Sequence, residues 1–120
     1  METKNILLDI GSSTVKVYKL SDNGALELLE AQTMTFKEGF DPESGISLDS
    51  KSKLFGFVKG VKDKNPGVRV KTFATAIFRK LSKSAKKKLV DEFFEATGLF
   101  FNIISQELEN FYLETALTSK

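Results

Sequence analysis

Hydrophobic positions change their period along the chain, and the changes lay out its elements. Ile6-Leu7-Leu8-Asp9-Ile10 is an almost wholly apolar run that stops at Gly11-Ser12-Ser13. A short run of this kind, bounded by turn residues, reads as a buried strand. Thr14-Val15-Lys16-Val17-Tyr18-Lys19-Leu20 then alternates, with β-branched residues at Thr14, Val15 and Val17, as a strand with one covered face should. Asp22-Asn23-Gly24 supplies a tight turn. A third strand, broadly Leu26 to Phe36, follows it, so the first third of the chain predicts a β-meander.

Gly39 to Asp49 carries Gly, Pro, Ser and Asp and reads as a loop. From Ser50 the period lengthens. Leu54, Phe57, Val58 and Val61 form one stripe of an amphipathic helix. Asn65-Pro66-Gly67 ends it, because Pro cannot continue a helix and Gly tolerates a left-handed turn. Val68 to Ala74 predicts a fourth strand. A second helix starts near Ser82 or Ser84, either of which can cap it, and Leu89, Phe93 and Ala96 with Val90 and Phe94 give it a broad apolar face. Gly98 is a stop signal. Leu99 to Ile104 predicts a fifth strand, and Ser105 can cap a third helix running to about Leu117. The order is βββαβαβα, an α/β domain with a mixed five-stranded sheet and helices packed on it. No repeat or linker divides residues 1–120, which read as one domain.

Composition narrows the chemistry. The apolar share of 41% is enough for one modest core, and eleven Phe without Trp predict a core built largely from Phe with Leu, Ile and Val. The net charge of +2 carries no strong nucleic-acid signal, so no specific nucleic-acid partner is expected. There is no Cys, which excludes disulfides, thiolate metal sites and cysteine catalysis. There is no His, which removes the commonest general base. Chemistry here must rest on carboxylates, hydroxyls, Lys, Arg, backbone amides or a bound cation. No apolar run approaches the roughly 20 residues of a membrane helix, and Met1-Glu2-Thr3-Lys4 does not open a secretory signal. No membrane partner is expected, and a cytoplasmic protein is the simplest reading.

Three stretches can carry chemistry. In the first, a buried strand ends in Asp9 and turns through Gly11, Ser12, Ser13 and Thr14 into the next strand. Gly11 lets the backbone approach an anion, and the amides and hydroxyls of this bend can donate to phosphate oxygens. Asp9 is suited to holding a hydrated Mg²⁺ that bridges to the phosphate. An ordinary hairpin turn uses the same residue types. The second stretch is Thr75-Ala76-Ile77-Phe78-Arg79, after the fourth strand, where an Arg can clamp phosphate bidentately. The alternative is a surface Arg that opens a basic, solvated helix with Lys80, Lys83, Lys86, Lys87 and Lys88. The third is Ser105-Gln106-Glu107-Leu108-Glu109, where one glutamate can act as a general base toward water, or both can simply offset a helix dipole.

Taken together and in this order, the three stretches resemble a known family. Asp9-Ile10-Gly11-Ser12-Ser13-Thr14-Val15-Lys16 looks like the first phosphate loop of the actin, sugar kinase and Hsp70 superfamily. Its pairing with Ala74-Thr75-Ala76-Ile77-Phe78-Arg79, and with Gly98 through Ile103-Ile104-Ser105-Gln106-Glu107-Leu108-Glu109, resembles the exopolyphosphatase / guanosine pentaphosphate phosphatase family (Ppx/GppA). There a Thr-Ser-Ala-Leu-Arg segment is followed by an Ile-Ile-Ser-Gly-x-Glu-Glu-Ala segment. The resemblance implies a ribonuclease H-like (actin-like ATPase) lobe. It implies phosphate binding by Gly11, Ser12, Ser13, Thr14 and Arg79, Mg²⁺ on Asp9, and activation of the attacking water by Glu109. Polyphosphate or guanosine pentaphosphate would be the substrate.

The sequence departs from the family pattern at Ser13, Gln106, Leu108 and Asn110, which stand for Asn, Gly, Glu and Ala. These departures favour a phosphate loop over a hydrolytic centre, so a non-catalytic phosphate-binding or interaction module is the first alternative. A lobe of an acetate- or sugar-kinase-like ATPase is the second. Family members carry a second lobe with its own Gly-rich loop, and no Asp-x-Gly-Gly-Gly-Ser-like segment occurs here. The expectation is therefore an N-terminal lobe, inactive by itself, whose partner is the second lobe of the same protein. Its uncovered apolar face would favour self-association into a homo-oligomer.

Overall fold

The computed structural model describes residues 5–21 and 24–104. Five strands and two helices follow in the expected order: β1 (Asn5–Ile10), β2 (Thr14–Leu20), β3 (Leu26–Thr33), α1 (Leu48–Lys64), β4 (Arg69–Ala74), α2 (Lys83–Thr97) and β5 (Asn102–Ile103). The third expected helix, Ser105 to about Leu117, lies outside the described residues. The sheet order is β3-β2-β1-β4-β5. The meander β1-β2-β3 is antiparallel, while β4 runs parallel to β1 and β5 parallel to β4.

Alternation along the strands decides which face is covered. Ile6, Leu8 and Ile10 of β1, Val15 and Val17 of β2, and Thr72 and Ala74 of β4 are buried on one face. Against it pack Leu54, Val58 and Val61 of α1 and Ala85, Leu89 and Phe93 of α2. The stripe read from the sequence thus faces the core, with Phe57 half-buried at its border. Phe94, expected on the apolar face of α2, is 57% exposed. Thr97 takes a buried place instead, its hydroxyl donating to the Phe93 carbonyl at 2.7 Å.

The helix ends carry the expected signals. Ser47 caps α1, accepting from the Ser50 amide at 3.1 Å, so the helix starts just before Ser50, where the hydrophobic period changes. Ser82 caps α2 through the Ala85 amide at 3.2 Å, and Gly98 closes it with a left-handed φ of 76°.

Phe36, Phe78, Phe93 and Phe101 are fully buried, sharing the core with a larger number of Leu, Ile and Val, and the Phe rings form a chain. Phe36 meets Phe78 edge-on at 5.3 Å, Phe78 meets Phe101 at 5.3 Å, Phe101 meets Phe93 at 4.8 Å, and Phe93 meets Phe55 at 5.6 Å. Such pairs each add about 0.5–1.5 kcal/mol beyond their area burial. The chain of rings links the segment after β3, the segment after β4, the residue just before β5 and both helices. It therefore fixes two of the loops that matter below.

Two strands are shorter than the sequence predicts. β3 ends at Thr33 because Met34 and Phe36 turn inward and become buried. β5 is confined to Asn102–Ile103 because side chains hold its approach: the Leu99 amide donates to Thr97 Oγ1 at 3.1 Å, and Thr72 Oγ1 donates to the Phe100 carbonyl. Among the described residues no helix is long and apolar enough to cross a membrane.

Candidate functional site

Parallel pairing brings the first two candidate stretches, and the strand that precedes the third, to one end of the sheet. Ile10 at the end of β1 pairs with Ala74 at the end of β4, and Ala74 pairs with Ile103 at the end of β5. The chain leaves the sheet from these three neighbouring positions, the usual place for ligands in α/β sheets. Ile104 is held there by its amide, which donates to the Ala74 carbonyl at 3.1 Å. Glu109, with Gln106 and Leu108, lies outside the described residues.

The bend between β1 and β2 is closed by the Gly11 amide, which donates to the Thr14 carbonyl at 3.0 Å. That bond corrects one expectation, because the Gly11 N–H is spent inside the turn and does not point at a ligand. The amides of Ser12 and Ser13 take no protein acceptor among the described residues. A Cβ at residue 11 would lie 3.4 Å from the Thr14 carbonyl oxygen, the acceptor that closes the bend. The Ser13 carbonyl accepts from the Met34 amide at 2.9 Å, which fastens the segment after β3 to the bend.

The second stretch folds back on the first. The Thr75 amide donates to the Ile10 carbonyl at 3.0 Å, and the Ile77 amide donates to the Ser12 hydroxyl at 3.2 Å. Residues Ala76–Lys80, which read as a strand-end loop in the sequence, form a 3₁₀ turn ahead of α2. Ala76 opens this turn with a φ of 52°, a left-handed conformation that costs a non-glycine residue about 1–2 kcal/mol. Arg79 is half-buried, and its Nε donates to the Ile104 carbonyl at 2.9 Å. The guanidinium thus bridges the ends of β4 and β5.

Between these segments lies an open hollow of about 550 Å³, lined by Ser12, Lys37, Phe40, Ala76, Ile77, Arg79 and Lys80. Ser12 and Arg79, chosen separately from the sequence, share it. Lys37 and Phe40 were not singled out, since nothing in Lys37-Glu38-Gly39-Phe40 distinguishes it from a surface loop. Only the Met34–Ser13 bond and the Phe36–Phe78 contact bring it here. Lys80 was grouped with the lysines of the following helix. Of those, Lys83, Lys87 and Lys88 are exposed, as a solvated face should be.

Asp9 is half-buried at the end of β1, between Lys16 and Phe73 in register, and does not line the hollow. Among the described residues no cluster of three or more Asp or Glu is placed to hold a metal.

With topology and hollow in place, comparison with solved structures is informative. A Ppx/GppA family member from Aquifex aeolicus superposes with a TM-score of 0.67 at 21% identity, covering 89% of this chain and 36% of that one. A type II variant of the Aquifex aeolicus Ppx/GppA phosphatase gives 0.68 at 18%, covering 88% and 36%. An exopolyphosphatase from Cytophaga hutchinsonii gives 0.63 at 17%, covering 85% and 34%. The fold is that of the Ppx/GppA structures. It is the ribonuclease H-like, actin-like α/β arrangement expected from the motifs. The likeness is one of fold, and this chain spans 36% of the length of the first two Ppx/GppA proteins. No protein-family model and no curated protein matches the sequence.

Proposed function

We infer that this chain is the phosphate-binding lobe of a phosphoanhydride hydrolase acting on polyphosphate or guanosine pentaphosphate. The observation that carries the reading is the Ser12–Ile77 bond at 3.2 Å, which joins the bend at 11–14 to the turn bearing Arg79 on one cation-lined hollow. The likeness in fold to exopolyphosphatase structures supports it. In this reading the outer amides and hydroxyls of Ser12, Ser13 and Thr14 donate to phosphate oxygens, with the Gly11 amide closing the bend. Arg79 neutralises charge on the phosphoryl group through its terminal nitrogens. Asp9 would hold Mg²⁺, which when bound supplies further charge neutralisation. Glu109, matched to the second glutamate of the family pair, accepts a proton from the attacking water as its oxygen bonds to the terminal phosphorus, the bridging P–O bond breaks, the shortened phosphate chain departs on the bridging oxygen and orthophosphate is the product. Such transfer depends mainly on positioning and electrostatic stabilisation, so the lack of His and Cys is no obstacle.

A second lobe of the same protein would close the cleft, because half a cleft neither excludes water nor holds both ends of the transferred group. A second reading, a phosphate-binding module without turnover, is favoured by Gln106 and Leu108, which stand where the family has Gly and Glu. Calorimetric titration of the chain with pyrophosphate and magnesium chloride tests the shared part. Saturable binding that Arg79→Ala abolishes supports it, and no binding by the unaltered chain overturns it. Phosphate release by the two-lobe protein, with Glu109→Gln beside it, separates the two readings. Equal rates would remove Glu109 from the chemistry.

A further inference from the structure

We propose that Lys37 and Lys80 make this site selective for linear phosphate chains over single phosphates, an inference that rests on the phosphate reading of residues 11–14. The hollow holds about 550 Å³ and carries three cations, Lys37, Arg79 and Lys80, with no carboxylate among its described lining residues. Small-molecule sites occupy ~300–1,000 Å³, so space is left once one phosphate sits at the bend. Glu38, the acidic neighbour of Lys37, is turned away. Its Oε2 accepts from the Thr35 hydroxyl at 3.5 Å, and it borders a different hollow with Asp49 and Lys53. Asp41 is occupied in its own turn, accepting from the Glu43 and Ser44 amides at 2.7 and 3.1 Å.

The two lysines also differ from others on the surface. Lys51, Lys53 and Lys87 pair with Glu92, Asp49 and Asp91. Lys37 and Lys80 are exposed and have no ion-pair partner among the described residues. Their backbones are nonetheless fixed. Lys37 follows the buried Phe36, whose ring packs on Phe78, and Lys80 ends the turn that Ser12 holds through Ile77. An ammonium group is a compact charge on a flexible stem, so it reaches an oxygen without demanding one geometry. The bend and Arg79 fix the first phosphate, and the lysines stabilise the charges of the phosphates that follow it.

The test is calorimetry on the 120-residue chain with orthophosphate, pyrophosphate and tripolyphosphate at constant magnesium chloride. The double variant Lys37→Gln/Lys80→Gln should weaken tripolyphosphate binding about five- to twenty-fold and leave orthophosphate within about two-fold. Lys87→Gln/Lys88→Gln, which removes the same charge elsewhere, should change neither. Equal weakening by both double variants, or equal weakening of all three anions, overturns the inference. So does a thymidine oligonucleotide that binds as tightly as tripolyphosphate and is lost with the same lysines. If the unaltered chain binds none of the anions, the phosphate reading falls and takes this inference with it. If Arg79→Ala abolishes binding while the lysine pair changes nothing, only the inference falls.

Discussion

The Ser12 hydroxyl accepts a hydrogen bond from the Ile77 amide at 3.2 Å, across 65 positions of sequence. One oxygen thereby sets the distance between two loops that leave neighbouring parallel strands. The bond uses the acceptor side of the hydroxyl and leaves its proton to donate outward. A serine at this position can fasten the site and contact an anion at once.

Ser12→Ala should therefore act on stability and on binding together. The Ile77 amide would lose its acceptor, which costs about 1–2 kcal/mol for a group shielded from water. Urea denaturation should show that loss with an unchanged m-value. Phosphate affinity should fall as well, and a melt identical to that of the unaltered chain would show that the bond contributes nothing.

Arg79→Lys keeps the charge but not the fork. Lysine cannot reproduce the Nε bond to the Ile104 carbonyl while also presenting two parallel donors to a phosphate. The variant should lose about 1 kcal/mol of stability and bind pyrophosphate roughly five- to ten-fold more weakly. Calorimetry and thermal unfolding on the same preparation check both.

Much of this was legible before any coordinates. The run Ile6–Ile10, the stripe Leu54-Phe57-Val58-Val61 and Gly98 each follow from one local rule, and each appears where that rule puts it. Ser12 and Arg79 were found by residue type at strand ends and do share a hollow. What the sequence hid depends on contacts between distant segments. Lys37 joins the site only because Met34 bonds Ser13 and Phe36 packs on Phe78. The loss of the Gly11 amide to the turn is likewise a matter of closure, since Gly11-Ser12-Ser13-Thr14 is equally compatible with an outward-facing amide. The short 3₁₀ turn escaped because Ala76 gives no warning of a left-handed conformation.

Phe78 is the hub of the ring chain, fully buried and in edge contact with Phe36 and Phe101. Phe78→Ala should cost about 3–5 kcal/mol, a large share of the ~5–15 kcal/mol that holds a domain of this size together. The site should feel the change directly, because Phe78 lies inside the turn between Ile77 and Arg79. Phe78→Leu keeps most of the volume and should lose less. A variant ranking in which Leu is no better than Ala would mean that the ring contacts, not the filled space, dominate.

Ala76 offers a test of strain with opposite signs. Its φ of 52° is in the region that glycine adopts freely and other residues do not. Ala76→Gly removes a backbone penalty of about 1–2 kcal/mol but gives the unfolded chain more freedom, worth about 0.4–1 kcal/mol. The net should be a gain of roughly 0.5 kcal/mol. Ala76→Val adds a β-branched side chain to the same left-handed backbone and should lose at least about 1 kcal/mol. Because residue 76 is exposed, neither change alters the core, and the difference between the two isolates the backbone. Denaturation midpoints that fall for glycine and hold for valine would show that this turn is not strained in solution. With the strain relieved, the Ser12–Ile77 bond has less to hold, so Ser12→Ala should cost less in the Ala76→Gly background than alone.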